Sequence, residues 1–160
     1  MLSSHYAVRA LRSSDIPRIL DLEFHAYERP LDHGQLRRLL GEDAVSGIGY
    51  VGRDSSLIGY VLYRRCKTSL TIVRLAVMPQ VQRQGLGRTL LVYPRNEMHA
   101  RSCMYARISE RSVAGQCFLR KHGFRWIKTI EPKGEEDAMY VFCWRDAVKE
   151  PEPHALQATV

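Results

Sequence analysis

The stretch "LAVMPQVQRQGLGRTLL", residues 75–91, decides the fold of this chain. Its apolar run ends at Pro79, and a new apolar pattern at helical spacing begins after two arginines and two glycines: Arg83, Arg88, Gly85 and Gly87. Helix N-termini present unpaired N–H groups and a partial positive charge, which suit anions. Glycines let an anion approach the backbone, and arginines add charge-assisted hydrogen bonds. The stretch therefore predicts a strand, an anion-binding loop and a helix.

Two familiar phosphate-binding motifs do not describe this loop. No Gly-Lys-Ser/Thr follows it, so it is not a Walker motif, and only two of the three glycines of a dinucleotide fingerprint are present. Taken alone, the glycine pair is equally consistent with a plain turn that caps a helix.

The composition of the 160-residue chain is that of a single globular domain, with 45% hydrophobic and 26% charged residues. No apolar run approaches the roughly 18 residues that span a bilayer, and the first residues lack a signal-peptide core, so we expect a cytoplasmic protein. The cysteines show no C-x-x-C pair, which predicts reduced core thiols and no metal site; they are Cys66, Cys103, Cys117 and Cys143.

The net charge of +7 is compatible with nucleic acid, an anionic cofactor, an acidic substrate or a solvated arginine-rich surface. A nucleic-acid module is expected to interleave aromatic with basic residues or to carry a recognition helix. The best basic cluster here carries glycines at a turn instead. We therefore expect phosphate binding, and neither a nucleic-acid nor a membrane partner.

Hydrophobic periodicity predicts the element order β, αα, βββ, α, β, α, ββ. Residues 44–78 are typical of an antiparallel meander, and the helix after Gly85 should run to about Ala100 with a kink at Pro94. Ser14 and Asp15 are candidate caps for the first helix. Apolar-periodic positions predict core residues: Phe24, Phe118, Leu119, Trp126 and Trp144. Residues 1–145 form the predicted domain, and residues 146–160 a mobile tail.

At this point the sequence resembles a known family. Residues 75–91 are similar to the acetyl-CoA-binding motif Q/R-x-x-G-x-G/A of the GNAT N-acetyltransferases, with Gln82, Gly85 and Gly87 at its fixed positions. The resemblance extends to "SVAGQCFLRKHGF" (112–124) and to "VRALRSSDIPRILDLE" (8–23). "GEEDAMYV" (134–141) resembles the ending of the ribosomal-protein N-terminal-alanine acetyltransferase branch. These segments occur in the family's order, and the resemblance extends over nearly the whole stretch from residue 6 to residue 144.

The resemblance implies a mixed, mostly antiparallel α/β sheet of six to seven strands, with helices on both faces and a splayed parallel strand pair at the cofactor site. It implies that the loop cradles the pyrophosphate of acetyl-CoA, and that strand 75–77 pairs with the pantetheine arm. The thioester would lie between that strand and "CMYARIS" (103–109), with a backbone N–H near Val77 for the oxyanion. The cofactor-binding residues implied are Leu75, Ala76, Val77, Gln82, Arg83, Gln84, Gly85, Leu86, Gly87, Arg88, Thr89 and Ser112.

The catalytic pattern of the branch is broken in this chain. Its glutamate base falls on Arg107 and its tyrosine acid on Leu119, and neither side chain can perform the role. Substitute candidates are Glu110, His25, Tyr105 and Tyr140, each of which has an equally plain structural interpretation as a surface or core residue. The first-helix residues Glu23, Tyr27 and Glu28 belong to the region that lines the acceptor site in this family. Arg107 in the cleft would indicate an acidic acceptor, unless a neighbouring carboxylate pairs with it.

Three function classes follow from these observations. The leading hypothesis is an acetyl-CoA-dependent N-acetyltransferase whose acceptor, a small molecule or a peptide or protein amine, attacks the thioester directly in a ternary complex. An inactive acyl-CoA-binding sensor is the alternative, motivated by Arg107 and Leu119. A basic nucleic-acid-binding protein ranks third, since it gives no reason for the glycine spacing. The chain is expected to be a monomer or a homodimer.

Overall fold

A computed structural model describes residues 6–99, 101–134 and 136–146. The strands are β1 (Tyr6–Ala10), β2 (Val45–Gly52), β3 (Leu57–Arg65), β4 (Ser69–Val77), β5 (Cys103–Ser109), β6 (Arg125–Ile130) and β7 (Met139–Trp144). The helices are α1 (Ile16–Ala26), α2 (His33–Leu40), α3 (Leu86–Asn96) and α4 (Val113–Lys121). The predicted element order is confirmed.

The strands form one seven-stranded mixed sheet in the order β1-β2-β3-β4-β5-β7-β6. All neighbouring strands are antiparallel except β4 and β5. These two pair in parallel from Ser69↔Cys103 to Ile72↔Ala106, after which β4 stays on β3 and β5 stays on β7. The sheet therefore opens between β4 and β5, as the predicted splayed parallel pair requires.

Helices cover both faces of the sheet, and each face has its own core. From Tyr60 to Tyr63, side chains of β3 alternate between the faces: Tyr60 and Leu62 pack with α1 and α2, whereas Val61 and Tyr63 pack with α3 and α4. This alternation follows from the two-residue period of a strand. The mixed α/β architecture with helices on both faces is thus confirmed.

Two aromatic residues predicted to lie in the core, Phe24 and Trp126, are exposed instead. Phe24 is 76% exposed, because the buried face of α1 runs through Ile16, Ile19 and Glu23, one residue out of phase with the prediction. Trp126 is 53% exposed because it lies on β6, the edge strand of the sheet. The other three predicted core residues fit: Leu119 is buried, and Phe118 and Trp144 are partly buried against the same core.

The cysteines and one helix end also differ from expectation. All four cysteines are free, but two of them, Cys66 and Cys117, are exposed and so are not core thiols. α3 ends at Asn96, not near residue 100, and Pro94 within its last turn lacks the N–H that would support a longer helix. No helix in the described part of the chain is long and apolar enough to cross a membrane. The predicted tail, apart from Asp146, lies outside the described residues.

The start of α1 uses Asp15 differently from a helix cap. Its carboxylate accepts hydrogen bonds from the Arg12 amide (2.8 Å) and the Arg9 guanidinium (2.7 and 2.8 Å), and makes no cap bond to α1. The Arg9 hydrogen bond lowers the pKa of Asp15 to about 2. This buried carboxylate joins β1 to the first helical turn.

Candidate active site

The open edge of β4 is the first component of the site. Past Ile72, β4 no longer pairs with β5, although it remains bonded to β3 on its other side. The Leu75 carbonyl accepts from the Tyr27 hydroxyl, and the Val77 carbonyl accepts from the Gln82 side-chain amide (2.9 Å). Neither bond involves β3, so both carbonyls point into the opening. Because the N–H and C=O of one strand residue point the same way, both residues also direct their amides there.

The loop after β4 presents a run of free amides. A single 3-10 turn, Pro79–Val81, leads to Gly85, which has φ +88° and caps α3. The backbone amides of residues 83–88 have no hydrogen-bond acceptor among the described residues. The Thr89 amide and hydroxyl both donate to the Gly85 carbonyl (3.0 Å each), which closes the first turn of α3 behind the loop. An anion at this position would find backbone donors that no described acceptor occupies.

The two glycines of the loop have different roles. A Cβ at Gly85 would meet no atom within 4 Å, so this residue borders open space and adopts a left-handed backbone conformation. A Cβ at Gly87 would lie 2.9 Å from Cε2 of the Phe118 ring. Gly85 therefore keeps the loop accessible, and Gly87 lets α4 pack closely against the start of α3. The sequence interpretation assigned anion access to both.

The charges around the loop are positive and unneutralised. Arg83 and Arg88 are exposed, and neither forms an ion pair with a described carboxylate. Burial, with the charges of Arg95, Lys121 and Arg88, lowers the pKa of His122 at the end of α4. Ser112 precedes α4 and makes no side-chain cap bond. The loop thus combines free amides with two unpaired guanidinium groups.

A buried ionic network beside the opening was missed by sequence reasoning. Glu23 is fully buried and accepts from Arg74 Nε (3.0 Å), from Arg74 Nη2 (2.7 Å), from the Tyr60 hydroxyl and from the Leu31 amide (2.7 Å). Arg74 also stacks 3.5 Å from the centroid of the Tyr27 ring. The available signal was a charge on the apolar face of α1 together with an arginine within the apolar strand β4.

This network positions Tyr27 against β4. Burial raises the pKa of Tyr27, so its hydroxyl stays protonated near neutral pH and donates to the Leu75 carbonyl. Glu23 is saturated by its hydrogen bonds and its arginine partner. It therefore serves as a structural anion and not as a base.

The four candidate catalytic residues do not converge. His25 is exposed, with its Nδ1 2.7 Å from the Asp21 carbonyl of its own helix. Glu110 accepts from the Ala138 amide (3.3 Å) and stabilises the end of the β5–β7 pair. Tyr140 packs partly buried against the core on the α3 and α4 face. Tyr105 lies on the opposite face of the sheet, where a hydrogen bond with the Cys103 thiol raises its pKa.

The two positions that depart from the branch differ in their surroundings. Leu119 is 6% exposed within the core of the α3 and α4 face. Arg107 is exposed on β5, one residue past the last β4–β5 pair, and forms no ion pair with any described residue. The neighbouring carboxylate of Glu110 accepts a hydrogen bond from the Ala138 amide and forms no ion pair with Arg107. Among the described residues, no group of three or more His, Cys, Asp or Glu is arranged to hold a metal ion.

This chain is similar to one protein family in sequence and to several solved structures in fold. Residues 46–126, just over half of the chain, match the family described as "Acetyltransferase (GNAT) domain". No curated protein matches the sequence. The fold resembles that of the ribosomal-protein-S18-alanine N-acetyltransferase from Escherichia coli, with a TM-score of 0.75 and 16% identity over 88% of this chain and 93% of that chain.

Two further solved structures contain the ligand named in their descriptions. NAA60 from Arabidopsis thaliana in complex with acetyl-CoA gives a TM-score of 0.74 at 13% identity, covering 88% of this chain and 99% of that chain. The PaiA N-acetyltransferase from Thermoplasma acidophilum in complex with coenzyme A gives 0.72 at 15% identity, with the same coverage. The family match, the seven-stranded sheet and its parallel opening agree, and the chain belongs to the GNAT acetyltransferase family.

Proposed function

We propose that this protein transfers the acetyl group of acetyl-CoA to a primary amine by direct attack in a ternary complex. The observation that carries the proposal is the continuity of two backbone segments with free amides, the β4 edge that no longer pairs with β5 and the loop that follows it. The open edge of β4 leads directly into six free amides at residues 83–88. A ligand with an amide-containing arm and a pyrophosphate fits this sequence of donors and acceptors.

The residues of this chain fit such a ligand by charge and by shape. The amides of residues 83–88, with Arg83 and Arg88, would hold the pyrophosphate, and the left-handed Gly85 leaves the space above them open. The N–H groups of Leu75 and Val77 point into the opening and would bind the pantetheine arm and polarise the acyl carbonyl. The Gln82 side chain, which bonds the Val77 carbonyl, would support the strand end. Ser112, at the start of α4, is assigned to the same site by its motif position.

Bound acetyl-CoA supplies the acyl group: the amine nitrogen bonds its carbonyl carbon, the carbon–sulfur bond breaks, the amine loses a proton and the thiolate gains one. In this chain neither Arg107 nor Leu119 can accept or donate that proton. The four candidate catalytic side chains do not converge on one point; they are Glu110, His25, Tyr105 and Tyr140. The proposal therefore has the amine arrive uncharged and release its proton to water, with rate acceleration from positioning.

Calorimetry with acetyl-CoA, followed by mass spectrometry of amines and N-terminal peptides, tests the proposal. We expect binding by acetyl-CoA and none by adenosine, and the mass of one acetyl group added to an acceptor. Gly85→Glu should abolish binding while the circular dichroism spectrum is kept, because it places a carboxylate in the anion site. Undiminished affinity in that variant would show that the loop does not hold the cofactor.

A second candidate function is an acyl-CoA sensor without turnover. The specific observations that favour it are the arginine and the leucine at the two proton-transfer positions of the branch. It predicts acetyl-CoA binding with no acetylated product from any amine. Product formation above the uncatalysed rate, lost in Gly85→Glu, would exclude it.

A further inference from the structure

Three strands beyond the opening carry positive charge on one face of the sheet. β5, β6 and β7 contain no aspartate or glutamate, and α1 and α2 contact β2, β3 and β4 on that face. On β5, Met104 and Ala106 belong to the core of the α3 and α4 face. Alternation therefore places Arg107 on the opposite face, where its own side chain is exposed. The three strands therefore supply no carboxylate that could neutralise the positive charge on this face.

Register places two cations in one row across these strands. Arg107 of β5 pairs with Val141 of β7, and Val141 pairs with Lys128 of β6. Residues paired across neighbouring strands share a face, so Arg107, Val141 and Lys128 stand side by side. Two strand spacings separate the cations by about 10 Å. Val141, at 4% exposed, forms the apolar floor between them.

Both cations lack a counter-ion among the described residues, whereas comparable arginines have one. Arg111 pairs with Asp137 at 3.2 Å, and that carboxylate also accepts from Ser109. The other carboxylate near the end of β5, Glu110, bonds a backbone amide. Neither Arg107 nor Lys128 forms an ion pair with any described carboxylate.

We infer that the acceptor is an acidic peptide N-terminus that crosses this face, with one carboxylate on Arg107 and another on Lys128. The inference rests on the proposed function and names its substrate class. Arg107 lies one residue past the last β4–β5 pair, at the opening where the amine must enter. An extended chain advances about 3.3 Å per residue and places every second side chain on one side, so two carboxylates two residues apart lie about 7 Å apart and can spread to reach both cations. A small acidic amine reaches only one of them.

The test compares acceptors that differ only in charge. A peptide with Glu at its second and fourth positions is measured against the same peptide with Gln at both, and against free glutamate. We expect the acidic peptide to have a kcat/KM about tenfold higher than the Gln peptide at low salt, decreasing as salt screens the pairs. Equal rates for the two peptides, or free glutamate as the better acceptor, would overturn the inference.

Three variants assign the preference to its residues. Arg107→Gln and Lys128→Gln should each reduce the preference by about threefold, and Arg107→Lys should keep part of it, because the charge remains. Arg111→Gln is the matched control, since it removes a nearby arginine that is already paired, and it should leave the preference intact. An undiminished preference in both Arg107→Gln and Lys128→Gln would contradict the assignment.

A binding measurement separates this inference from the proposed function. The same peptides are titrated by calorimetry into the protein with coenzyme A present, where no transfer takes place. Tighter binding of the acidic peptide supports the acceptor class even if no product forms in the transfer assay, in which case only the proposed activity fails. Equal binding of both peptides overturns the acceptor class whatever the transfer assay shows.

Discussion

Gly85→Ala separates two roles of this residue: adopting a left-handed backbone conformation and leaving the space above the free amides open. Gly85 has φ +88°, and a Cβ there would meet no atom within 4 Å. Alanine in a left-handed conformation costs about 1 kcal/mol, with no steric clash to add. Gly134, in the β6–β7 connection, has φ +80° and equally open surroundings. Gly134→Ala is therefore a control with the same backbone cost and no place in the proposed cradle.

The two variants should separate only when cofactor is added. Without ligand, each should lose about 1 kcal/mol, a fall in Tm of about 2–4 °C for a chain of this size. In Gly85→Ala the new methyl group occupies the space above the free amides, so the anion loses at least one charge-assisted hydrogen bond. A loss of about 1.5 kcal/mol weakens acetyl-CoA binding by roughly tenfold.

Differential scanning fluorimetry with and without acetyl-CoA measures both effects. At a ligand concentration about 100 times Kd, the unaltered protein should gain about 2.7 kcal/mol, and Gly134→Ala should gain the same. Gly85→Ala should gain only about 1.4 kcal/mol at that concentration. Equal gains in both variants would refute the cradle assignment, whereas unequal losses without ligand would refute the shared backbone cost.

Three further predictions concern stability. Asp15→Asn should lower the free energy of unfolding by about 1–2 kcal/mol near neutral pH. Because the pKa of Asp15 is lowered to about 2 from 3.8, this difference should be full above about pH 4 and vanish as pH falls through 2. Urea titrations at several pH values measure it. Glu23→Gln should cost about 3 kcal/mol in urea unfolding because it leaves Arg74 buried without its anion, and replacing both residues by leucine should cost less than the single change. Gly87→Ala should cost about 1 kcal/mol through the 2.9 Å approach to Phe118, and adding Phe118→Leu should recover part of it.

Periodicity and glycine placement were sufficient for the element order and for the strand–loop–helix at residues 75–91. These signals are local: a two-residue period specifies a strand, and glycine before an apolar helical pattern specifies a turn into a helix. The same local reasoning failed for Phe24 and Trp126. Their exposure depends on the exact phase of α1 and on β6 being the edge strand, which no local window contains.

The sequence by itself determined the element order and the position of the free-amide loop, because each depends on residues adjacent in the chain. Its resemblance to the GNAT motif identified the family and, through the family, implied the sheet with its parallel opening. Only the tertiary structure decided which charges are paired. Glu23 and Arg74 lie 51 positions apart and neutralise each other in the interior. Arg107 and Lys128 lie in one row across three strands and form no ion pair with a described carboxylate. Charge pairing depends on distances between segments remote in sequence, so it is settled only when the sheet has formed.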